Sequence, residues 1–309
     1  MIPSLMEALE KEFTVHKLWT LPDQDHFLQA SGPSIQGLVT SYIYGAETKL
    51  LNALPNLEII ASYGVGLDRI DMNWIKTKEL TVTNTPDISE PVADTGLALL
   101  LAVTRRICEA DRFVKSGQWP KSAFPFGVDL GQKTCGIVGL GCIGRAIAKR
   151  AEAFGMRIAY FGPRQKVDVP YDYYASLTDL ASESNFLVLA LPGGPDTYHM
   201  INEEVLAALG PAGYLINVAR GSVLDEAALI RRLQAGQLAG AGLDVFEQEP
   251  LASSPLMTLD NVVLSPHLAS ATVETRHDMG EVVLHNLRAY FSKQPVLTPV
   301  VLGKSPANL

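Results

Sequence analysis

The chain has 309 residues, which is long enough for two domains or for one large one. Its apolar share of 47% and charged share of 19% are ordinary for a globular protein. The net charge of −8 argues against a nucleic-acid partner, because no basic surplus exists to neutralise phosphates, and no apolar run reaches the roughly 18–20 residues that cross a bilayer.

The first third of the sequence alternates short β-branched segments with helical stretches. These segments are bounded by Gly, Pro, Asn or Asp, as strands commonly are. Strands that alternate with helices predict a parallel sheet covered on both faces. The candidate strands are FTVHKL, GLVTSY, LEIIASY and LTVTNT.

A long Ala- and Leu-rich stretch, Ser89–Trp119, follows and opens with Ser-Glu-Pro, which suits the start of a helix. A buried helix of this length is long enough to cross from one domain to another. Residues 120–132 are punctuated by Pro and Gly, and we predict that they form the linker into a second unit.

The second unit alternates again, with helical stretches between most of its candidate strands. Six strands in this alternation are what a doubly wound sheet needs. The tail over residues 273–291 has helical periodicity, and we expect it to return to the first domain. The candidate strands are TCGIVGL, RIAYFG, NFLVLAL, GYLINVA, AGLDVF and NVVLSP.

These elements predict an α/β chain of two doubly wound parallel-sheet domains, with the active site in the cleft between them. We place a flavodoxin-like substrate domain at residues 1–97 plus 287–309. A dinucleotide-binding Rossmann domain is placed at residues 98–286.

A glycine-rich turn with the pattern Gly139-x-Gly141-x-x-Gly144 lies between a β-branched strand and a helix. Gly139 permits the tight turn, Gly141 lets the backbone approach a pyrophosphate, and Gly144 lets the helix pack on the sheet. The helix start at Cys142 and Ile143 points free N–H groups at the phosphates. This context predicts a dinucleotide site rather than a glycine turn without a ligand.

The next strand ends in Gly162-Pro163-Arg164, about 20 residues beyond the glycine turn, where this fold usually carries a carboxylate for the adenosine ribose. A carboxylate repels a 2′-phosphate, whereas the guanidinium of Arg164 grips one in a bidentate way, and Lys166 adds a second positive charge. We therefore expect NADPH to be preferred over NADH. The alternative is that Arg164 stacks on adenine or points into solvent.

Three later segments place a charged or titratable side chain at the carboxyl end of a predicted strand, where open α/β sheets bind ligands. They carry Arg220, then Asp244 with Glu249, and finally His267. Taken singly, an arginine such as Arg220 is commonly a solvated charge, a glutamate such as Glu249 a polar loop residue, and a histidine such as His267 a turn residue. Their ordered occurrence predicts one catalytic site.

With this set, the chain resembles the D-isomer-specific 2-hydroxyacid dehydrogenases, and most closely their NADPH-linked glyoxylate/hydroxypyruvate reductases. The resemblance implies NADPH-dependent reduction of a small 2-oxoacid, of the glyoxylate or hydroxypyruvate type, to the D-2-hydroxyacid. It runs over nearly the whole chain, through GVGLDRID, the glycine motif, NVARGSVLDE, GLDVFEQEP and LSPHLASAT.

The resemblance implies that Arg220, Glu249 and His267 are the catalytic residues. Arg220 would form a bidentate salt bridge to the substrate carboxylate and polarise the adjacent carbonyl. A protonated His267 would donate its proton to the carbonyl oxygen as the hydride arrives. Glu249 would orient the imidazole and favour its charged form.

Other positions match the family more weakly, and each keeps a structural alternative. Val65 and Gly66 match the substrate loop, or form a plain turn. Asp244 matches the residue that bonds the nicotinamide carboxamide, or caps nearby backbone. Ser270 and Thr272 match polar neighbours of the active site, or cap the last helix. The positions that match the cofactor lining, or simply pack, are Leu191, Pro192, Val218 and Ala219.

Substrate identity stays open, because a pocket discriminates one methylene by only ~1–3 kcal/mol. Tyr63, next to the substrate loop, is larger than glyoxylate needs, which keeps phenylpyruvate, hydroxyphenylpyruvate and 2-ketogluconate as alternatives. A 3-phosphoglycerate dehydrogenase is disfavoured, because that enzyme favours NAD and commonly has a C-terminal regulatory domain, for which this chain has no room. A formate dehydrogenase is disfavoured, because its active site pairs a glutamine with the histidine, whereas Glu249 is a carboxylate. The non-enzymatic alternative is a nucleotide-sensing corepressor, since fold alone does not decide function.

Three cysteines, Cys108, Cys135 and Cys142, cannot form a complete disulfide set and have no zinc-type spacing, so we expect reduced thiols and no metal site. The N-terminus lacks a basic region followed by an apolar core, which predicts a cytoplasmic protein without a signal peptide. The resemblance implies a homodimer. The region of Trp119, Phe124 and Phe126 is then a dimer contact, or alternatively ordinary core.

Overall fold

The computed structural model describes residues 1–41, 43–78, 80–86 and 88–301, which form an α/β fold with parallel sheets. The helices are α1 Pro3–Glu12, α2 Gln24–Ser31, α3 Thr48–Asn52, α4 Met72–Lys76, α5 Ser89–Thr104, α6 Ile107–Lys115, α7 Cys142–Ala153, α8 Leu177–Glu183, α9 Glu203–Leu209, α10 Glu226–Gln234 and α11 Val273–Phe291. The strands are β1 Gly37–Ser41, β2 Ile59–Tyr63, β3 Thr81–Thr83, β4 Thr134–Val138, β5 Arg157–Phe161, β6 Asp172–Tyr174, β7 Phe186–Leu189, β8 Tyr214–Asn217, β9 Gly240–Leu243 and β10 Val262–Leu264.

The described chain divides into two compact units. The first consists of Met1–Ile88 with the described residues from Ala271 onwards, and the second runs from Ser89 to Ser270. These limits differ from the predicted boundaries after residues 97 and 286, each of which would cut a helix. Helix α5 packs on α7, β8 and β9, and α11 packs on β2 and α1, so each helix belongs to one unit as a whole.

The first unit is built on a parallel sheet of order β1-β2-β3. Successive side chains of a strand face opposite sides. Ile59 therefore packs with α1 and α11, whereas Ile60 packs with the residues of α3 and α4. The last residue of the predicted strand GLVTSY, Tyr42, lies outside the described residues.

The segment FTVHKL is not a strand, and this prediction is wrong. Its apolar side chains, Phe13 and Val15, do pack in the core of the first unit. Among the described residues, however, its backbone pairs with no strand, and the chain continues into a 3₁₀ turn over Leu18–Thr20.

A buried asparagine ties the C-terminal segment to the first unit. Asn286 of α11 donates from Nδ2 to Oγ1 of Thr298 at 2.9 Å. Its Oδ1 accepts from the backbone N–H groups of Leu297 and Thr298 at 2.7 and 3.2 Å. Thr298 in turn donates to the carbonyl oxygen of Asn84 at 2.6 Å.

We expect Asn286→Ala to lower the free energy of unfolding by about 1–3 kcal/mol, because it removes the acceptor of two partly buried backbone N–H groups and the donor to Thr298. Equilibrium denaturation with urea measures this difference. Asn73→Ala, at an exposed position of α4, is the matched control and should change stability by less than about 0.5 kcal/mol. Equal losses in the two variants would contradict the role of Asn286.

The second unit is described without a gap and contains a seven-stranded parallel sheet of order β10-β9-β8-β7-β4-β5-β6. The strand order reverses at β4, which is the Rossmann arrangement for binding dinucleotides. All six strands expected in this unit are confirmed. The prediction missed β6, because Asp172–Tyr174 is too short for an alternation pattern to identify.

Different helices cover the two faces of this sheet. Ile137 of β4 lies beside Gly144 of α7, on the face where α5 and α7 pack together. The next residue, Val138, points the other way into a core that α8, α9 and α10 share. The unit therefore has three layers, with apolar residues buried on both sides of the sheet.

The single helix predicted over Ser89–Trp119 is two helices, so this prediction is corrected. The chain breaks at Arg106, whose φ of 55° lies in the left-handed region, and α6 starts directly after it. Residues 120–132, predicted as a linker between domains, lie within the second unit, where the N–H of Val128 donates to Thr104 at 2.8 Å. No helix within the described residues is long and apolar enough to cross a bilayer.

Candidate active site

The glycine turn follows β4 and needs glycine at two positions. Gly139 has a φ of 94°, and a Cβ there would lie 2.7 Å from the carbonyl oxygen of Ala190. A Cβ on Gly144 would lie 2.1 Å from the carbonyl oxygen of Gly139. Helix α7 starts at Cys142 with Gly141 as its N-cap, and no side chain caps it. The first-turn N–H groups and this close-packed backbone fit the pyrophosphate of a dinucleotide.

We expect Gly144→Ala to weaken dinucleotide binding and to lower the free energy of unfolding by about 1–3 kcal/mol, because the added methyl displaces the turn. Fluorescence titration with NADPH and urea denaturation measure the two effects. Gly131→Ala is the control, since its Cβ would meet no atom closer than 3.6 Å. Unchanged nucleotide binding in Gly144→Ala would contradict this placement of the site.

The four positions expected to line the cofactor lie close to this turn or in the core. Leu191 follows β7, and its Cα would lie 3.0 Å from a Cβ on Gly139. Pro192 is exposed, and its carbonyl oxygen accepts from Thr197 at 2.9 Å. Val218 and Ala219 follow β8 and are buried, which agrees with the packing alternative for these two.

The end of β5 carries no carboxylate. Phe161 is the last residue of β5, and the chain continues into the exposed Arg164 and the half-buried Lys166. The backbone N–H of Lys166 donates to Oη of Tyr160 at 2.7 Å, which holds the segment against the strand. This end of the sheet is therefore basic, as the sequence indicates.

The structure brings His267 and Glu249 together. Nδ1 of His267 lies 2.7 Å from Oε2 of Glu249, and the side chains are 21% and 25% exposed. Oε1 of Glu249 accepts from the backbone N–H of Phe246 at 3.1 Å. His267 has a φ of 50°, and its N–H donates to the carbonyl oxygen of Asp244 at 2.8 Å. The carboxylate of Glu249 and the main chain of His267 are thus held by backbone hydrogen bonds, and the carboxylate in turn holds the imidazole.

Burial alone would raise the pKa of Glu249, but other interactions outweigh it. The hydrogen bond and charge of His267 lower the pKa, and so do the N–H of Phe246 and the charge of Arg220. The net effect is a pKa of Glu249 below its ordinary value. Glu249 is therefore a carboxylate at neutral pH, as the orientation of an imidazolium requires.

The stability that this pair contributes should be lost in acid. A folded-state pKa below the unfolded value means that the stabilisation is present above about pH 4.3 and disappears as the pH falls through the folded pKa. We expect the unfolding free-energy difference between the unchanged protein and Glu249→Gln to be constant near neutral pH and to shrink below about pH 4. Urea titrations over this pH range measure it, and a difference that grows in acid would contradict the assignment.

Arg220 follows β8 in a turn held by Asn217. Nδ2 of Asn217 donates to the carbonyl oxygen of Arg220 at 3.0 Å, and its Oδ1 accepts from the N–H of Ala219 at 3.0 Å. A Cβ on Gly221 would lie 1.9 Å from the carbonyl carbon of Phe246, so this turn packs directly on the segment that leads to Glu249. The guanidinium of Arg220 is near enough to lower the pKa of Glu249. The three predicted catalytic residues therefore share one edge of the second unit.

Asp244 has the structural role that the sequence left as an alternative. The side chain of Asp244 accepts from Oγ of Ser265 and from the N–H groups of Leu268 and Ala269 at 2.5, 2.9 and 3.0 Å. Burial raises its pKa, and these bonds and the charge of His267 oppose that rise. Asp244 thereby shapes the loop that carries His267, and its contact with nicotinamide stays a prediction.

The remaining predicted positions lie in or next to the first unit. Val65 and Gly66 are half-buried after β2, and Asn84 donates to the carbonyl oxygen of Val65 at 3.1 Å. Tyr63 is buried, and its hydroxyl donates to the carbonyl oxygen of Arg276 at 2.7 Å, so its size says nothing about the substrate. Ser270 does not cap α11.

Instead, the N-cap of α11 is Thr272, whose Oγ1 accepts a hydrogen bond from the backbone N–H of Thr275 at 3.1 Å.

The sequence analysis missed a second histidine–glutamate pair. Nε2 of His199 lies 2.7 Å from Oε1 of Glu247, and Glu247 and Glu226 exchange backbone-to-carboxylate hydrogen bonds at 3.2 and 3.3 Å. Acidic residues at neighbouring strand ends were the available signal. Within the described residues, no group of three or more His, Cys, Asp or Glu is arranged to hold a metal.

Comparisons with known proteins agree with this geometry. A family model described as D-isomer specific 2-hydroxyacid dehydrogenase, NAD binding domain, matches residues 97–269. Hydroxyphenylpyruvate reductase of Plectranthus scutellarioides is 48% identical over 298 residues, which cover 96% of this chain and 95% of that protein. Glyoxylate/hydroxypyruvate reductase A of Arabidopsis thaliana has the same identity and coverage. The NADPH-dependent glyoxylate/hydroxypyruvate reductase of Sinorhizobium meliloti, in complex with NADP and malonate, has a TM-score of 0.90 at 40% identity, over 97% of this chain and 94% of that one.

Proposed function

Because the chain belongs to the D-isomer-specific 2-hydroxyacid dehydrogenases, we propose that it reduces a small 2-oxoacid to the D-2-hydroxyacid with NADPH. Glyoxylate and hydroxypyruvate are the first candidate substrates. The observation that carries this proposal is the 2.7 Å contact between His267 and Glu249, beside the turn of Arg220. It supplies a positioned proton donor next to a cation that fits a carboxylate.

Each of the three residues has one role in the proposed reaction. Arg220 binds the substrate carboxylate through two parallel hydrogen bonds and polarises the carbonyl. The hydride that the carbonyl carbon accepts would come from NADPH when it is bound. His267 donates the proton from Nε2 to the carbonyl oxygen, while Glu249 holds Nδ1 and stabilises the imidazolium. The product is the 2-hydroxyacid, and a solvent proton restores His267.

The proposed preference for NADPH rests on the basic end of β5. Arg164 is exposed there and, among the described residues, forms no ion pair, so its guanidinium is available to a 2′-phosphate. The absence of a carboxylate at Gly162 removes the usual partner of the ribose hydroxyls. The S. meliloti relative is described as NADPH-dependent, which agrees with this interpretation.

Hydroxyphenylpyruvate, phenylpyruvate and 2-ketogluconate stay alternative substrates. The two plant relatives share one level of identity with this chain but have different substrates in their names. Sequence similarity therefore does not decide between a small and an aromatic 2-oxoacid.

The experiment is an absorbance assay of cofactor oxidation with NADPH and NADH in parallel. Each is paired with glyoxylate, hydroxypyruvate, hydroxyphenylpyruvate and 2-ketogluconate. We expect turnover with NADPH, and Arg164→Gln should lower kcat/KM for NADPH about tenfold more than for NADH. Arg231→Gln, an exposed and paired arginine of α10, is the control.

The possible results separate the parts of the proposal. Equal use of NADH and NADPH would refute the role of Arg164 and leave the reductase. Nucleotide binding without turnover on any of these acids would refute the reductase and favour the nucleotide-sensing alternative.

We also propose that the protein is a homodimer in the cytoplasm. Trp119 is 69% exposed and Phe126 fully exposed, and aromatic side chains of this size are typical of protein interfaces. Light scattering should give twice the chain mass of 33.4 kDa, and Trp119→Ser with Phe126→Ser should reduce it. A single-chain mass for the unchanged protein would contradict the dimer.

A further inference from the structure

The segment over residues 162–168, here called the basic loop, is held at three points. Oη of Tyr173 donates to the carbonyl oxygen of Gly162 at 3.2 Å. The N–H of Lys166 donates to Oη of the fully buried Tyr160 at 2.7 Å. The third contact is an ion pair between Asp168 and Arg145. These contacts fix both ends of the basic loop and leave Arg164 exposed between them.

The ion pair joins the basic loop to the first turn of α7. Nη2 of Arg145 lies 2.9 Å from Oδ2 and 3.1 Å from Oδ1 of Asp168. Arg145 directly follows Gly144, the last glycine of the turn. The hydrogen bond from Arg145 lowers the pKa of Asp168, and the charges of Arg145 and Lys166 contribute to this shift. Asp168 is therefore ionised at neutral pH.

The ion pair of Arg145 with Asp168 lies where it can affect binding of a 2′-phosphate. In a Rossmann fold the adenosine ribose lies between the helix start and the end of the second strand, which are the two segments that Arg145 and Asp168 connect. A 2′-phosphate placed there is an anion that a guanidinium binds as it binds a carboxylate. The phosphate and Asp168 therefore compete for Arg145, and Asp168 also repels the phosphate.

We propose that Arg145 is a further ligand of the 2′-phosphate and that Asp168 limits how strongly the protein selects NADPH over NADH. Without a phosphate, Asp168 neutralises Arg145 and keeps it beside the ribose site. With a phosphate, Arg145 exchanges its carboxylate partner for the phosphate, next to Arg164 and Lys166. This inference rests on the proposed NADPH preference, and it names residues that set the extent of that preference.

The test uses two fragments of the cofactor and needs no turnover. Adenosine 2′,5′-bisphosphate carries the 2′-phosphate, and adenosine 5′-monophosphate lacks it. Their dissociation constants are measured by isothermal titration calorimetry for the unchanged protein and for Asp168→Asn, Arg145→Gln and Arg164→Gln. The controls are Asp111→Asn and Arg231→Gln, which change an exposed acid and an exposed base in ion pairs elsewhere in the second unit.

We expect Asp168→Asn to tighten binding of the bisphosphate about threefold, because the exposed ion pair no longer competes for Arg145 and its modest contribution is removed. Arg145→Gln should weaken bisphosphate binding about tenfold, because it removes a charge-assisted hydrogen bond. Both variants should bind the monophosphate as the unchanged protein does. The gain in Asp168→Asn should decrease at high salt, since the competing interaction is electrostatic.

Two failures can be told apart. If the unchanged protein binds both fragments equally, the NADPH preference fails and this inference fails with it. If Arg164→Gln abolishes a clear preference while the Asp168 and Arg145 variants match their controls, only this inference is overturned. Weaker bisphosphate binding in Asp168→Asn also overturns it, because Asp168 would then support the phosphate site rather than compete for it.

Discussion

Replacement of His267 by asparagine should lower kcat for 2-oxoacid reduction by about 10²–10⁴-fold, which is the range that a positioned general acid contributes. Asparagine cannot supply the proton at neutral pH. It is preferred to alanine because His267 has a φ of 50°, a region that asparagine adopts more readily. The loop should therefore keep its shape, and the dissociation constant of NADPH should stay unchanged.

Steady-state kinetics and a fluorescence titration with NADPH measure these two quantities. His277→Asn, at an exposed position of α11, is the matched control. A His267→Asn enzyme that retains kcat within a few-fold would refute the proton-donor role.

The second large effect is expected for Arg220→Gln. It should lower kcat/KM for the 2-oxoacid by about 10²–10³-fold, because removing one partner of a hydrogen-bonded charge pair costs about 2–5 kcal/mol. Arg220→Lys should recover only part of this loss, since an ammonium cannot offer two parallel hydrogen bonds to a carboxylate. The dissociation constant of NADPH should be the same in all three proteins.

The binding of oxamate to the NADPH complex separates binding from chemistry. Oxamate carries the carboxylate of a 2-oxoacid but is not reduced, so Arg220→Gln should weaken its binding, whereas His267→Asn should do so much less. Arg231→Gln serves as the matched control on α10. Unchanged oxamate affinity in Arg220→Gln would show that another group holds the substrate carboxylate.

Local sequence signals predicted much of the second unit. Its central strands are short apolar runs bounded by turn residues, and the glycine turn has a spacing that the backbone itself requires. Gly139 and Gly144 have no room for a Cβ, so the motif reports directly on local geometry. For this reason the succession of strands along the chain and the start of α7 could be predicted without tertiary information.

Where a prediction failed, contacts distant in sequence decided the outcome. The Ala- and Leu-rich stretch predicted one long helix, but the chain turns at Arg106, and the carbonyl oxygen of Thr104 beside this break accepts from the N–H of Val128. The limits of the two units depend on which sheet each of the helices α5 and α11 covers. The apolar composition of a helix does not indicate this. Tyr63 was interpreted from its place beside a loop, and only packing shows its ring buried and its hydroxyl bonded to Arg276.

The sequence by itself determined the residue types for the chemistry: an arginine, a glutamate and a histidine at three strand ends, and a basic residue where a carboxylate is usual. The tertiary structure decided which of these side chains meet. His267 contacts Glu249, which lies 18 residues away in the sequence, and Arg145 contacts Asp168, which lies 23 residues away. The same structure pairs His199 with Glu247, which lies 48 residues away. Such pairings depend on strand order and on loop conformation, because parallel strands that are distant in sequence end at one edge of the sheet. No local sequence pattern encodes which of the loops at that edge come into contact.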